Sequence, residues 1–161
     1  MLSFTTDSGL RFNYRVAGAA YTGGHVLLHK SDRDDFWSLP GGRVEGLEPS
    51  ATSLARELRE ELGADATVER PLWIVENFFV YRGQPFHELG FYYLVTLPPA
   101  YCDPTRTMQG TDLTQTRRTL QLTFRWFALN ELDDLTIYPS FLKTALVTPP
   151  DTVVHLVHRD P

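Results

Sequence analysis

The sequence predicts one α/β domain in which a mixed β-sheet is flanked by helices. Three observations predict it. Runs rich in β-forming residues recur at positions 12–20, 25–29, 72–81, 87–97 and 120–129. A capped, amphipathic helical segment interrupts them at 49–62, and a second helical segment follows the last long run at 138–146. Strands on both sides of a helix call for a sheet with helices packed against it. At 161 residues the chain is long enough for one full core and too short for two ordinary ones, so 1–161 is read as a single domain.

Taken in order, the first two runs are separated by Thr22-Gly23-Gly24, a hairpin signal, and Arg15 places a charge inside the first of them. Residues 31–35 form a polar loop. Phe36-Trp37-Ser38-Leu39-Pro40 then leads into Gly41-Gly42, with Trp37 and Leu39 as core positions. Gly41 has no Cβ, which lets its carbonyl approach a ligand closely. Pro49 suits the first helical turn because its missing N–H needs no partner there, and Gly63 suits the residue after the last turn. On the helix between them, Ala51, Leu54, Ala55, Leu58 and Leu62 share one stripe. Glu57, Glu60 and Glu61 share another, about 120° away.

After the helix, strands are expected at 67–68 and 72–81, then a turn at 82–85 and a central strand at 87–97. Glu76 and Glu88 fall within or beside these strands, where a carboxylate either faces solvent or needs a partner or a metal. Positions 98–119 show no period and are expected to form a loop, with Asp103 and Asp112 its only carboxylates. The run at 120–129 contains Arg125-Trp126-Phe127. A short capped turn at 130–135 precedes the second helix, which presents Leu142 and Leu146 on one face. Pro149-Pro150 ends that helix, and 152–157 adds an edge strand.

Composition narrows the function. A net charge of -5 and a pI near 5.5 argue against a binder of duplex nucleic acid. The single Cys102 leaves no intramolecular disulfide and no thiolate zinc site, and fits a reducing compartment. No run approaches the ~20 apolar residues of a membrane span, and the N-terminus lacks a secretory pattern, so a cytoplasmic protein is expected. Carboxylates three and four positions apart on a helix repel one another, and a cation reverses the sign. Full-charge oxygen ligands suit Mg²⁺ or Mn²⁺. The plain alternative is a solvated glutamate face steadied by Arg56 and Arg59.

The stretch from Gly42 to Ala64 resembles the Nudix box. Gly42 is followed after five residues by Glu48, after seven more by Arg56-Glu57-Leu58, then by Glu60-Glu61, Gly63 and the apolar Ala64. The preceding Trp37-Ser38-Leu39-Pro40-Gly41-Gly42 is also common in that family. One departure is the loop Glu45-Gly46-Leu47-Glu48, since the family usually places its second glycine directly before the motif glutamate.

The resemblance extends over about 11–147 and implies an α/β/α sandwich. It implies Mg²⁺- or Mn²⁺-dependent hydrolysis of the diphosphate linkage in a nucleoside diphosphate joined to another moiety, such as a nucleotide, a dinucleoside polyphosphate or a nucleotide sugar. The Gly41 carbonyl, Glu57, Glu60 and Glu61 would be metal ligands, and Arg56 would orient the glutamates. Glu48 would hold a water or the helix entrance. Many members carry a further catalytic glutamate in a loop corresponding to 98–119; none stands here, which leaves Glu57 and then Glu88 as bases. Arg15, Trp126 and Tyr81, the last 17 residues beyond Ala64, are the expected substrate contacts. A tryptophan in a strand is, however, more often a core residue than a stacking one, and Trp126 has that reading too. The partner is a small nucleotide-type molecule, with neither duplex nucleic acid nor membrane, and a homodimer is compatible with the resemblance. Two other readings belong to the same fold. One is a module that senses a nucleotide without cutting it. The other is isopentenyl diphosphate isomerase chemistry, for which Cys102 falls after the box instead of ahead of it.

Overall fold

The computed structural model describes residues 1–113 and 118–161. Strand β1 (Ser3–Thr5) lies beside β2 (Arg11–Thr22), which turns at Gly23-Gly24 into β3 (His25–Ser31). Then come β4 (Gly41–Arg43), α1 (Ser50–Leu62), β5 (Thr67–Tyr81), β6 (Gln84–Thr96), β7 (Thr107–Leu113), β8 (Thr119–Ala128), the short α2 (Leu142–Ala145) and β9 (Val154–Arg159). Among the described residues, nine strands make one mixed sheet with the main order β7-β8-β3-β2-β6-β5-β9. The β2–β6 and β5–β9 pairs are parallel, and β1 and β4 pair with β2. No helix among the described residues is long and apolar enough to cross a membrane.

The feature that positions the site is a split in this sheet. β2 and β3 pair only at their turn, through Tyr21–Val26 and Thr22–His25. Beyond that point residues 37–43 wedge between them. Ser38 exchanges both backbone hydrogen bonds with His29 of β3, at 2.9 Å each. The Gly18 N–H of β2 donates to the Pro40 carbonyl at 2.8 Å, and β4 pairs with β2 through Gly41, Gly42 and Arg43. Each half of the sheet thereby keeps its backbone satisfied while the halves part.

Two apolar clusters occupy the two faces, which is why alternate residues of β2 point into different cores. Val16 packs with Leu54 and Leu58 of α1, Val95, Leu122 and Phe124. Ala17 packs with Leu39, Trp73, Tyr92, Leu132, Leu142 and Leu146. Burying Leu54 and Leu58 fixes α1 on its face, each contributing roughly 1.5–3 kcal/mol. Pro49 takes the cap position with extended backbone, and Gly63 closes α1 at φ 78, its N–H donating to the Arg59 carbonyl at 3.0 Å.

Three expectations change. The loop expected at 98–119 contains a one-turn 3-10 helix (Pro99–Tyr101) and the edge strand β7; positions 114–117 of it lie outside the described residues. β7 is a strand because it matches β8 over seven residue pairs and packs against α1, although Gln109-Gly110 weakens its own propensity. The two segments 67–68 and 72–81 are one strand, carried past Arg70 and Pro71 by bulges, where a proline is tolerated. The second helix is shorter than 138–146, yet Leu142 and Leu146 are both fully buried as expected.

Candidate active site

The charged side chains gather where the wedge parts β2 from β3. On one side is the glutamate flank of α1. Arg56 is its organiser. Its Nε and Nη2 donate to the Glu48 carboxylate, at 3.1 Å for Nη2, and its Nη1 donates to Glu57 Oε1 at 3.0 Å and Glu60 Oε2 at 3.1 Å. The Arg56 hydrogen bonds hold Glu48 below the usual carboxylate range. A Cβ on Gly42 would stand 2.2 Å from Glu57 Cδ, so the missing side chain is the space that Glu57 fills.

Glu61 projects inward and is only 7 % exposed. Desolvation, then the Asp112 and Glu57 carboxylates, push its pKa well above the ordinary value. Among the described residues its Oε2 has no hydrogen-bond partner, nor has Nδ1 of His29, 4.0 Å away. Burial drives His29 down to about 3, so the imidazole is neutral and gives Glu61 no counter-charge. Asp112 of β7, half-buried, joins the same flank and is raised by desolvation. Glu57 is raised for the same leading reason.

The opposite side is basic. Register places Arg15 of β2 against Arg43 of β4, and Arg15 Nη2 donates to the Leu39 carbonyl at 3.1 Å. Burial, then the neighbouring Arg11 and Arg15, lower the pKa of Arg43. Crowded guanidiniums facing a water-poor recess make a surface suited to an anion. Glu88 faces inward on this side. It is 6 % exposed, raised by desolvation, and held by the side chains of Asn13 and Asn77 on the flanking strands.

The chemistry of the acidic flank fits a hard divalent cation: several oxygen donors, one of them buried with an unsatisfied atom, and a glycine that clears room for another. Among the described residues, no three carboxylate, imidazole or thiol groups already converge as ligands. Arg56 engages one oxygen of Glu57 and one of Glu60, which leaves the second oxygen of each carboxylate for a cation. Cys102 is remote in character, its thiol directed to the Leu97 and Pro98 carbonyls at 3.6 Å.

Of the residues singled out in the sequence, the structure brings together Gly41, Arg56, Glu57, Glu60, Glu61 and Arg15, with Glu88 on the basic side. Three stand elsewhere. Trp126 takes the core alternative and not the stacking one: it is 3 % exposed in the cluster under α1, with its indole N–H on the Tyr101 carbonyl at 3.0 Å, so neither face is open to a base. Tyr81 lies at the end of β5, its hydroxyl donating to Asp34 Oδ1 at 2.7 Å. Glu76 is on the outer face, 3.0 Å from His155 Nε2. Sequence reasoning did not select His29, Arg43, Asn13 or Asn77, which are unremarkable within their strands. Asp112 was visible only as a loop carboxylate; its strand register is what aims it at α1.

The sequence model of the NUDIX domain matches residues 13–145. A CTP pyrophosphohydrolase of Escherichia coli (strain K12) is 44% identical over 57 residues, 33% of this chain and 42% of that protein. An RNA pyrophosphohydrolase of Campylobacter jejuni subsp. doylei is 34% identical over 82 residues, 44% of this chain and 50% of that protein. The chain thus spans half or less of the length of these curated relatives. Among solved structures, a MutT NUDIX hydrolase from Burkholderia pseudomallei superposes with a TM-score of 0.56 at 26% identity, over 85% of this chain and 98% of that one.

Proposed function

Because the chain belongs to the NUDIX domain family, we propose that it hydrolyses the diphosphate linkage of a nucleoside diphosphate joined to a second group. The single observation that carries this reading is the buried Glu61 carboxyl, one oxygen of which has no hydrogen-bond partner among the described residues, in the field of Arg15 and its register partner Arg43. A polyanion with its cations is the ligand that satisfies both walls at once.

In this reading Glu57, Glu60 and Glu61 hold Mg²⁺ or Mn²⁺ with the Gly41 carbonyl. The bound ion lowers the pKa of a coordinated water and offsets phosphate charge. Arg15 and Arg43 bind the substrate phosphates and orient them for in-line attack. Arg56 aligns Glu57 and Glu60 through its planar fork, which lysine would not reproduce. Glu57, desolvated but in contact with Arg56, is the proposed acceptor of the water proton. Glu88 is too enclosed by Asn13 and Asn77 to reach a water on the helix side, and serves by steadying Arg15.

The test is a panel of nucleoside triphosphates, dinucleoside polyphosphates and nucleotide sugars with added Mg²⁺, the products being identified. The expected products are two phosphate-ended fragments. Glu61→Gln keeps the shape and removes the charge, and should lower turnover at least ~10²-fold. Binding of nucleotides without any turnover by the wild type would instead make the protein a sensing module.

A further inference from the structure

At the open end of the cleft, between residues 32–36 and the β5–β6 turn, is a hollow of about 630 Å³. It is lined by Asp32, Arg33, Asp34, Asp35, Phe36, Tyr81 and Arg82. Its volume falls within the roughly 300–1,000 Å³ of small-molecule sites.

Two routes relate it to the charged centre. On β3, Ser31 follows His29 by two residues on the same side, about 7 Å along the strand. Its hydroxyl donates to Asp34 Oδ2 at 2.7 Å. On β5, Tyr81 stands four residues beyond Asn77, the register partner of Glu88, which is about 13 Å. The hollow therefore lies beyond the ends of the two strands that carry His29 and Asn77.

Its construction is specific. Tyr81 and Arg82 come from one half of the split sheet, and residues 32–36 from the other. The Tyr81–Asp34 hydrogen bond joins them, and Arg82 Nη2 donates to the Arg33 carbonyl at 2.8 Å. Arg82 has a left-handed φ of 51, followed by Gly83 at 78. Asparagine or glycine would take the first of those positions with less strain, so the side chain's bonds are what keep an arginine there. The Arg82 guanidinium already covers the Tyr81 ring at 5.2 Å. Phe36, edge-on to Tyr81 and to Tyr138, is left as the stacking surface.

We propose that this hollow seats the base of the substrate nucleoside and selects bases bearing an exocyclic amino group. The proposal rests on the pyrophosphohydrolase reading and refines it. Phe36 supplies a face on which any base can stack. The carboxylates supply the choice: each accepts an N–H and repels a carbonyl oxygen. Asp32 is exposed, and both oxygens of Asp34 retain accepting capacity beside their present donors. Cytosine and uracil differ at C4, amino against carbonyl, and at N3, acceptor against N–H donor, so the pair tests whether the carboxylates accept the exocyclic amino group or the ring N–H.

The experiment compares CTP with UTP as substrates in the presence of Mg²⁺, and measures CMP and UMP binding by calorimetry. The expected result is a kcat/KM at least about tenfold higher for CTP, with CMP the tighter ligand. In the Asp32→Asn/Asp34→Asn double variant the preference should fall toward unity. A ratio of two substrates on one preparation does not depend on how much of the variant is folded. Equal kcat/KM for the pair, a preference for UTP, or a preference unchanged in the double variant overturns the proposal. Hydrolysis without base preference removes the subsite and leaves the hydrolase reading, whereas CMP-selective binding with no turnover supports the subsite and removes that reading.

Discussion

Glu61 lies on the packed side of α1, and its ionisation is opposed by burial and by Asp112 and Glu57. A folded-state pKa raised above the ordinary 4.5 means that the folded protein holds this proton more tightly than the unfolded chain. The stability this confers is complete below pH 4.5 and is lost as pH rises through the folded value. In EDTA, the wild type should therefore lose Tm relative to Glu61→Gln between pH 4.5 and neutrality. Mg²⁺ should restore the wild type and leave the variant unchanged, which a pH series of thermal scans would show. Gly42 tests the same neighbourhood differently. The three atoms nearest to a Cβ there all belong to the end of the Glu57 side chain, so Gly42→Ala should fold with little loss while its kcat/KM falls by about tenfold or more. Glu57, Glu60, Glu61 and Arg56 were legible because helical spacing is local. His29, Arg43 and Asp112 were not, because each acquires its role from a residue on another element.

At the scale of elements, α1 was readable almost to the residue, since its stripe, proline and glycine all act within a few positions. β7 was not. Its sequence Thr-Met-Gln-Gly-Thr-Asp-Leu has little strand character of its own, and pairing with β8 supplies what propensity does not. Gly110 marks the contact that matters: a Cβ there would stand 2.0 Å from the Glu61 carbonyl oxygen, which is backbone and cannot swing aside. Gly110→Ala should cost about 1–3 kcal/mol in urea unfolding and also reduce activity, because Asp112 moves with the strand. The contrast with Gly42→Ala, active-site loss with the fold kept, separates a clearance for chemistry from a clearance for packing.

At the scale of the molecule, two half-sheets joined at one hairpin turn and held apart by residues 37–43 create the cleft. β9 completes the half that carries Arg15. It lies beyond the residues matched by the family, yet it pairs with β5 from Trp73 to Phe78 and places His158 beside Asn77. Asp160 fastens it: its carboxylate accepts from the Ser140 hydroxyl and from the Ser140 N–H at 3.1 Å, and its Oδ1 lies 3.1 Å from His158 Nε2. Only 4% of that side chain is exposed. Asp160→Ala should leave buried donors unsatisfied at a cost of about 1–3 kcal/mol. For a chain of this size that is a Tm lower by roughly 3–10 °C, measurable by calorimetry.

The sequence by itself determined the α/β class, the amphipathic helix with its three glutamates and arginine, and the family, because each depends on residues a few positions apart and a helix converts such spacing directly into shared faces. Only the tertiary structure decided which helix carboxylate is buried, that Trp126 is core, and that Arg15, Arg43, Asp112 and His29 converge. Those outcomes depend on strand register and on how far the halves of the sheet part, quantities set by pairing and packing between segments that no local pattern encodes.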